Sequence, residues 1–393
     1  MRILLETSGN IASLEQSLQA IMATPGVRSL FVLACDQNRY ALPALDALLR
    51  GIPMPVFGGV FPCILHNGQA HHTGSLVLGL TQEGIPHVIH GLSDPAADYL
   101  ARLERSLDDT PPGRTMLVLV DGLASRIVSF LNALFCLHGL EVNYLGGGAG
   151  SLSFLRQPCL ITNAGLVADA AVVVPLETAS SVAVGLGWRP IHESQTAACF
   201  SRHCPGPCKT PMKATEVRHN AILSLDWEPA LEAYAGLVRC HAQEALSAAD
   251  VFAMARSYPL GIARLDHGHI VRDPLYLTAE SHLVCAGEIP QGAFLEVLHG
   301  SQESLLQAAT AACAQARSQA EEAWSAPPAL CLAMDCISRS QFLGPAFDRE
   351  LAALHTPGVP MAGACSIGEI VNIGRRRLDF HNKACALAFL EQA

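Results

Sequence analysis

Three stretches of this chain follow one plan, and any fold it adopts must accommodate all three copies. The first opens with an apolar strand over residues 30–36, ending on Asp36. A helix over 41–50 then leads to Gly51-Ile-Pro-Met-Pro-Val-Phe-Gly-Gly59, a turn at Asn67-Gly68 and a closing strand over 75–80. The second runs from a strand over 116–121, ending on Asp121, through a helix over 127–138 to Gly139-Leu-Glu-Val-Asn-Tyr-Leu-Gly-Gly-Gly148. A turn at 163–165 and a strand over 170–176 complete it. The third places a strand over 329–335, ending on Asp335, before a helix over 347–354, Gly358-Val-Pro-Met-Ala-Gly363 and a strand over 384–390. Each unit reads strand, helix, strand, hairpin. A strand–helix–strand passage of this length suits a crossover between parallel neighbours, and the hairpin adds antiparallel strands.

The expected fold class is therefore α/β, with repeated units forming mixed sheets covered by helices. At 393 residues the chain exceeds one ordinary core, so two closely packed domains are expected. We place them at residues 1–190 and 221–393, joined by a Cys/His/Pro-rich segment over 191–220. Between the second and third copies the sequence predicts helices over 229–238 and 248–257 and short strands over 269–271, 282–287 and 294–298. A long helix over 301–324 follows, where Leu305, Ala309 and Ala312 recur at helical spacing.

Charge narrows the partners. A net charge of -10 without a Lys/Arg stripe argues against nucleic acid and against an anionic membrane surface. The longest apolar stretches, 168–176 and 181–187, are strand-length and well short of a bilayer span. Residues 1–8 lack the apolar core of a signal peptide, so a cytoplasmic location and mostly reduced thiols are expected for the fourteen cysteines. Cys35, Cys136, Cys285, Cys331 and Cys385 sit in apolar runs and read as small core hydrophobes.

Nine short motifs carry a resemblance. The N-terminal half holds Val56-Phe-Gly-Gly-Val-Phe-Pro62, Leu119-Val-Asp-Gly-Leu123 and Leu145-Gly-Gly-Gly-Ala-Gly-Ser151. The C-terminal half holds Trp227-Glu-Pro-Ala230, Tyr258-Pro-Leu-Gly261, Ile270-Val-Arg-Asp-Pro274, Asp335-Cys-Ile-Ser-Arg339, Gly363-Ala-Cys-Ser-Ile-Gly-Glu369 and Phe380-His-Asn-Lys383. In their order and spacing the chain resembles the FIST family over essentially its full length. The resemblance implies ligand sensing, since such modules occur fused to or encoded beside histidine kinases, cyclic-di-nucleotide enzymes and chemoreceptors. One subset, the nitric oxide sensing proteins, implies haem b, a gas or small-molecule ligand and a partner kinase. This chain carries no kinase or cyclase segment, so by that resemblance it signals through a separate partner. It departs from the family at Leu186, which precedes Gly187-Trp188 where members tend to have His, and this weakens a haem assignment.

Two residue sets can carry chemistry. In Ala198-Cys-Phe-Ser-Arg-His-Cys-Pro-Gly-Pro-Cys208, the side chains of Cys199, His203, Cys204 and Cys208 suit tetrahedral zinc or an iron–sulfur cluster. Cys204 before Pro205 also suits a haem thiolate, with His203 or His192 as an axial imidazole. The two-residue Cys gaps of a zinc finger are missing, and the alternative is a surface loop with redox-sensitive thiols. The second set is the polar group that three superposed units would gather at one sheet edge: Asp36, Asp121, Asp335, Cys336, Arg339, Glu369 and Lys383. Arg339 there could clamp a carboxylate, as on an amino acid, or pair internally with Glu369 or Asp335. Arg272-Asp273-Pro274 reads as a strand end with a side-chain cap. No nucleophile elbow, phosphate loop or metalloprotease helix is present. A sensor or metabolite-binding module is the leading class, and a metal- or Cys-dependent modifying enzyme is the alternative.

Overall fold

The computed structural model describes residues 1–38, 40–192, 210–242, 251–264, 268–372 and 377–392. It builds the three units into three six-stranded mixed sheets. In the first, Ser29–Cys35 runs parallel to Val56–Phe61 and antiparallel to Ser75–Leu80. Thr115–Asp121 stands likewise between Asn143–Ala149 and Ala170–Leu176, and Leu330–Cys336 between Met361–Ser366 and Cys385–Leu390. The helices Leu42–Arg50, Ile127–His138 and Phe347–Leu354 lie in the three crossovers, as the periodicity predicts.

The hairpins leave home. That of the first unit, Cys63–His66 with Gln69–His71, pairs with Met361–Ser366 in the third sheet. That of the second, Leu160–Thr162 with Gly165–Val167, pairs with Val56–Phe61 in the first. That of the third, Glu369–Asn372 with Leu378–His381, pairs with Asn143–Ala149 in the second. Each unit thus covers the open parallel edge of another, in a closed cycle that leaves none of the three central strand pairs bare. Ser180–Gly185, from the middle of the chain, also pairs with Cys385–Leu390 near its end.

Side chains alternate across these strands, and both faces are buried. Inward residues such as Phe31, Leu33, Leu117, Leu119, Leu332 and Met334 meet in one shared core. Outward residues of the same strands lie under helices. Leu30 and Val32 pack with Leu14, Leu18 and Leu45; Met116 and Val118 with Leu103 and Phe130; Cys331 and Ala333 with Leu305 and Leu351. The same register recurs at one glycine per sheet, where Gly58 faces Val32, Gly146 faces Val118 and Gly363 faces Ala333.

Between the second and third units the chain forms an inserted module. Its nine-stranded sheet, which includes Met212–Arg218, Leu260–Ala263 and Phe294–His299, packs against the helix Ala230–Ala242. Polar contacts clamp this module onto the three-unit body. Arg264 forms a two-pronged pair with Asp379, at 2.9 and 2.8 Å. The Glu288 carboxylate accepts from the backbone N–H groups of Val128 and Ser129 at 2.6 and 3.1 Å. It thereby caps the start of Ile127–His138, whose own N-cap residue, Arg126, makes no side-chain cap.

Of the cysteines expected in the core, Cys35, Cys285, Cys331 and Cys385 are buried, whereas Cys136 is exposed. The helix carrying it turns only part of its apolar circumference toward the sheet, and Cys136 falls on the far side. Among the described residues no helix is long and apolar enough to cross a membrane.

Candidate functional site

The three strand-end aspartates do not converge. Counted from the residue facing the shared glycine, Asp36 lies four positions beyond Val32, Asp121 three beyond Val118, and Asp335 two beyond Ala333. A one-residue offset turns a side chain to the opposite face of its strand. Asp121 accepts from the backbone N–H groups of Leu123 and Asp169 at 3.1 and 2.9 Å, capping its own turn and the segment before Ala170–Leu176. Asp36 continues the first sheet, its N–H donating to the carbonyl of Phe61. Asp335 has the parity of Cys331 and Ala333 and points outward beneath the helices. The expectation of one shared Asp edge is thus corrected by register: similar spacing in sequence is not equal position in the sheet.

Arg339 is likewise committed inside the protein. Its Nε and Nη2 bind the two carboxylate oxygens of Glu350, at 2.9 and 2.5 Å. The remaining N–H groups donate to the carbonyls of Leu186, Lys383 and Leu305 at 2.6, 3.3 and 3.0 Å, and the side chain is wholly buried. All five donors are used, so no donor is left over to clamp a ligand carboxylate. The ion pair is internal, but with Glu350 as the close partner; Asp335 lies 3.6 Å away. Burial and then the neighbouring Glu350 charge push the Asp335 carboxyl well above its ordinary range.

Cys336, Glu369 and Lys383 do come together, around a residue that sequence reasoning assigned only to a strand end. Asp273 sits between His269–Arg272 and Pro274–Leu277 and is 4% exposed. Its Oδ2 accepts from the Ser338 hydroxyl at 2.7 Å and lies 3.3 Å from the Lys383 ammonium. Its own N–H donates to Asn382 Oδ1 at 3.1 Å. Its Oδ1 is buried and has no hydrogen-bond partner among the described residues. Lys383 holds a left-handed backbone, φ 54°, with its ammonium 5.3 Å above the Trp188 ring, whose N–H donates to the Lys383 carbonyl at 2.9 Å. A buried lysine at positive φ is a strained position that its surroundings must enforce.

Beside this pair, Glu369 accepts from the Ser366 hydroxyl at 2.8 Å, from the Ala384 N–H at 3.1 Å, and from the Cys336 thiol. Burial pushes its carboxyl up to about 8, so the protonated form dominates at neutral pH. A folded-state value above the unfolded 4.5 gives stability that is full below about pH 4.5 and is lost as the pH rises through 8. Urea titrations at intervals from about pH 6 to about pH 9 should show wild-type stability falling. Glu369→Gln, which keeps the shape without the ionisation, should flatten that dependence. Two other shifts share the cause: burial raises the Cys336 thiol well above its usual range, and lowers the fully buried His381 to about 4.

Asp273, Cys336, Ser338 and Asn382 border a narrow cleft between body and inserted module, with about 20 Å³ of free space, at the carboxyl ends of Leu330–Cys336 and Met361–Ser366. Such strand ends are where open α/β sheets present their ligand sites. Asp273, Leu275 and Ala286 come from the inserted module; Cys336, Ser338 and Asn382 come from the body. A wider cleft of about 150 Å³ adjoins it, sharing Phe154, Leu275 and Ala286. The sequence did hold a signal for Asp273: two charged residues, Arg272 and Asp273, interrupt otherwise apolar strands, and both are buried.

The Cys/His loop contributes less. Cys199, His203, Cys204 and Cys208 lie outside the described residues. His192 is exposed, with its Nδ1 3.8 Å from Glu296. Among the described residues no cluster of three or more His, Cys, Asp or Glu is arranged to hold a metal ion. Leu186 packs its side chain on the outer core of the third sheet, and its carbonyl serves Arg339.

Three sheets exchanging hairpins around one core, with an inserted module and a polar cleft at the junction, define a two-module α/β protein. The chain belongs to the FIST family, matching the FIST N domain over residues 29–228 and the FIST C domain over residues 230–372. FIST domains are sensory domains of signal transduction. The two matched segments meet between Ala221–Leu225 and Ala230–Ala242, so both contribute to the inserted module. No curated protein matches the chain.

Proposed function

We propose that this FIST protein senses a small molecule held in the cleft between body and inserted module, and reports its occupancy to a separate partner such as a histidine kinase or a cyclic-di-nucleotide enzyme. The observation that carries this reading is Oδ1 of Asp273, buried at the junction of the two modules without a hydrogen-bond partner among the described residues. An unsatisfied buried acceptor costs roughly 1–3 kcal/mol, which a ligand donor recovers on binding. Because Asp273 belongs to one module and Ser338 and Asn382 to the other, a ligand there touches both. Its differential contacts can shift how the modules seat, which is what a sensor requires.

A thermal-shift screen of small metabolites, amino acids included, tests it. A ligand at about 100 times its Kd stabilises by about 2.7 kcal/mol, and the melting temperature should rise by several degrees. Leu275→Trp, which fills the cleft from its half-buried wall, should abolish the rise while leaving the unliganded protein folded. A protein that responds to no metabolite, or whose response survives Leu275→Trp, overturns the reading. The cofactor alternative, haem b or a zinc or iron–sulfur centre, rests on the exposed His192 and on the loop of Cys199, His203, Cys204 and Cys208. The absorption spectrum and metal content of freshly purified protein decide it: a Soret band, visible iron–sulfur absorption or stoichiometric zinc would each support one form.

A further inference from the structure

On the reading that the junction of body and inserted module is the sensing site, the charge of its walls narrows the ligand. The narrow cleft beside Asp273 has room for one water-sized group, so the body of a ligand sits in the adjoining cleft of about 150 Å³. That is about the volume that holds a single aromatic ring. Its polar side chains are Arg156, Asn220, Tyr276 and Cys285, and none is a carboxylate. Burial pushes the Cys285 thiol well above its usual range and keeps it neutral. Asn220 donates its amide N–H to the Cys285 carbonyl at 2.9 Å, and Tyr276 is 52% exposed. The rest of the wall is apolar, with Leu123, Leu275 and Val284 among its residues. Among the described residues, Arg156 is thus the one charged side chain that lines this space.

Arg156 is held from one side and open on the other. Its Nε and Nη2 donate to the carbonyl of Leu123, itself a wall residue, at 3.3 and 2.9 Å, and Nη2 also donates to the Ser93 hydroxyl. These bonds fix the guanidinium plane against the wall, while Nη1 makes no hydrogen bond among the described residues. Asp169 Oδ1 stands 3.9 Å from Nη2, too far for a hydrogen bond, and the pair leaves the arginine side chain 45% exposed. We propose that the wider cleft takes a small organic anion, a carboxylate on a flat apolar body of about one ring. The carboxylate accepts from Arg156 Nη1, and the ring packs against Leu123, Leu275 and Val284. A partly exposed guanidinium meets such an anion without stripping it of all its water. A cation finds no acid in the wall, and neither does the ammonium of an amino acid. Arg156 belongs to the body and Asn220 and Tyr276 to the inserted module, so the bound anion spans both.

Benzoate, benzamide, benzylamine and phenylalanine share a ring and differ in charge, and each is titrated into the intact chain by ligand-observed NMR at pH 7. Benzoate is expected to bind saturably and benzamide about tenfold more weakly, the worth of one charge-assisted hydrogen bond to a partly exposed arginine. Benzylamine and phenylalanine are expected to bind more weakly still. Arg156→Gln should bring benzoate down to the level of benzamide and leave benzamide unchanged, and Leu275→Trp should abolish the binding of both. The anion class is overturned if benzoate fails to bind saturably, if benzamide equals it, or if either amine is preferred. It is also overturned if the preference for benzoate survives Arg156→Gln, or if benzoate still binds Leu275→Trp. None of these results touches the sensing reading, which falls only if no metabolite shifts the melting temperature or if Leu275→Trp leaves the metabolite response unchanged.

Discussion

Arg339→Leu should cost about 3–5 kcal/mol in urea unfolding at pH 7, the scale of breaking a fully buried ion pair from one side. The guanidinium is 0% exposed and spends every donor on four acceptor groups. Its removal strands the Glu350 carboxylate, also 0% exposed, in apolar surroundings and unties three backbone carbonyls drawn from separate segments. Those carbonyls belong to Leu186 at the end of the second unit, Leu305 in the long helix and Lys383 beside the cleft. The double variant Arg339→Leu with Glu350→Leu should recover a large part of the loss, because no charge is then left unpaired. A single-variant loss below about 1 kcal/mol would mean that Glu350 takes up a proton or reaches water, and that Arg339 is not the tie between units.

Gly146→Ala, Gly58→Ala and Gly363→Ala should each destabilise by about 3 kcal/mol or more, at the upper end of overpacking effects. A Cβ at these positions would stand 1.7, 1.8 and 1.9 Å from the carbonyl oxygens of Val118, Val32 and Ala333. The obstacle is backbone of a central strand, so relief requires parting two hydrogen-bonded strands. Each glycine also faces a residue of the exchanged hairpin, Ile370, Ile161 and Leu65 respectively. Opening one pair would therefore loosen the link to another unit. Gly236 supplies the contrast: it lies within Ala230–Ala242 with nothing within 4 Å of an added Cβ, and alanine there should stabilise by about 1 kcal/mol. Chemical denaturation of the four variants checks both signs. Losses under about 1 kcal/mol at the three sheet positions would sink the account of close strand approach.

The polar residues show where local reasoning stops. Cys336, Glu369 and Lys383 were legible in the sequence only as part of the seven-residue polar set expected at one sheet edge. Asp36 and Asp121 looked equivalent to Asp335, yet, counted from the residue facing the shared glycine, they lie two positions and one position further along than Asp335 does. Glu350 is a first-turn acid of its helix, and nothing local marks it as the partner of Arg339, eleven residues earlier. Asp273 became central only when Ser338, Asn382 and Lys383, all distant in sequence, closed around it.

By itself the sequence determined the repeated strand–helix–strand–hairpin unit, its crossover helices and the glycines each unit needs, because these follow from periodicity and turn chemistry within about forty residues. It also carried the family, through motifs spread over most of the chain. Only the tertiary structure decided that the hairpins are exchanged in a cycle, that Arg339 faces inward, and that Asp273 Oδ1, without a hydrogen-bond partner among the described residues, lies between the two modules. Strand pairing across hundreds of residues and the burial of single polar atoms are set by which surfaces meet, and no local pattern along the chain encodes that meeting.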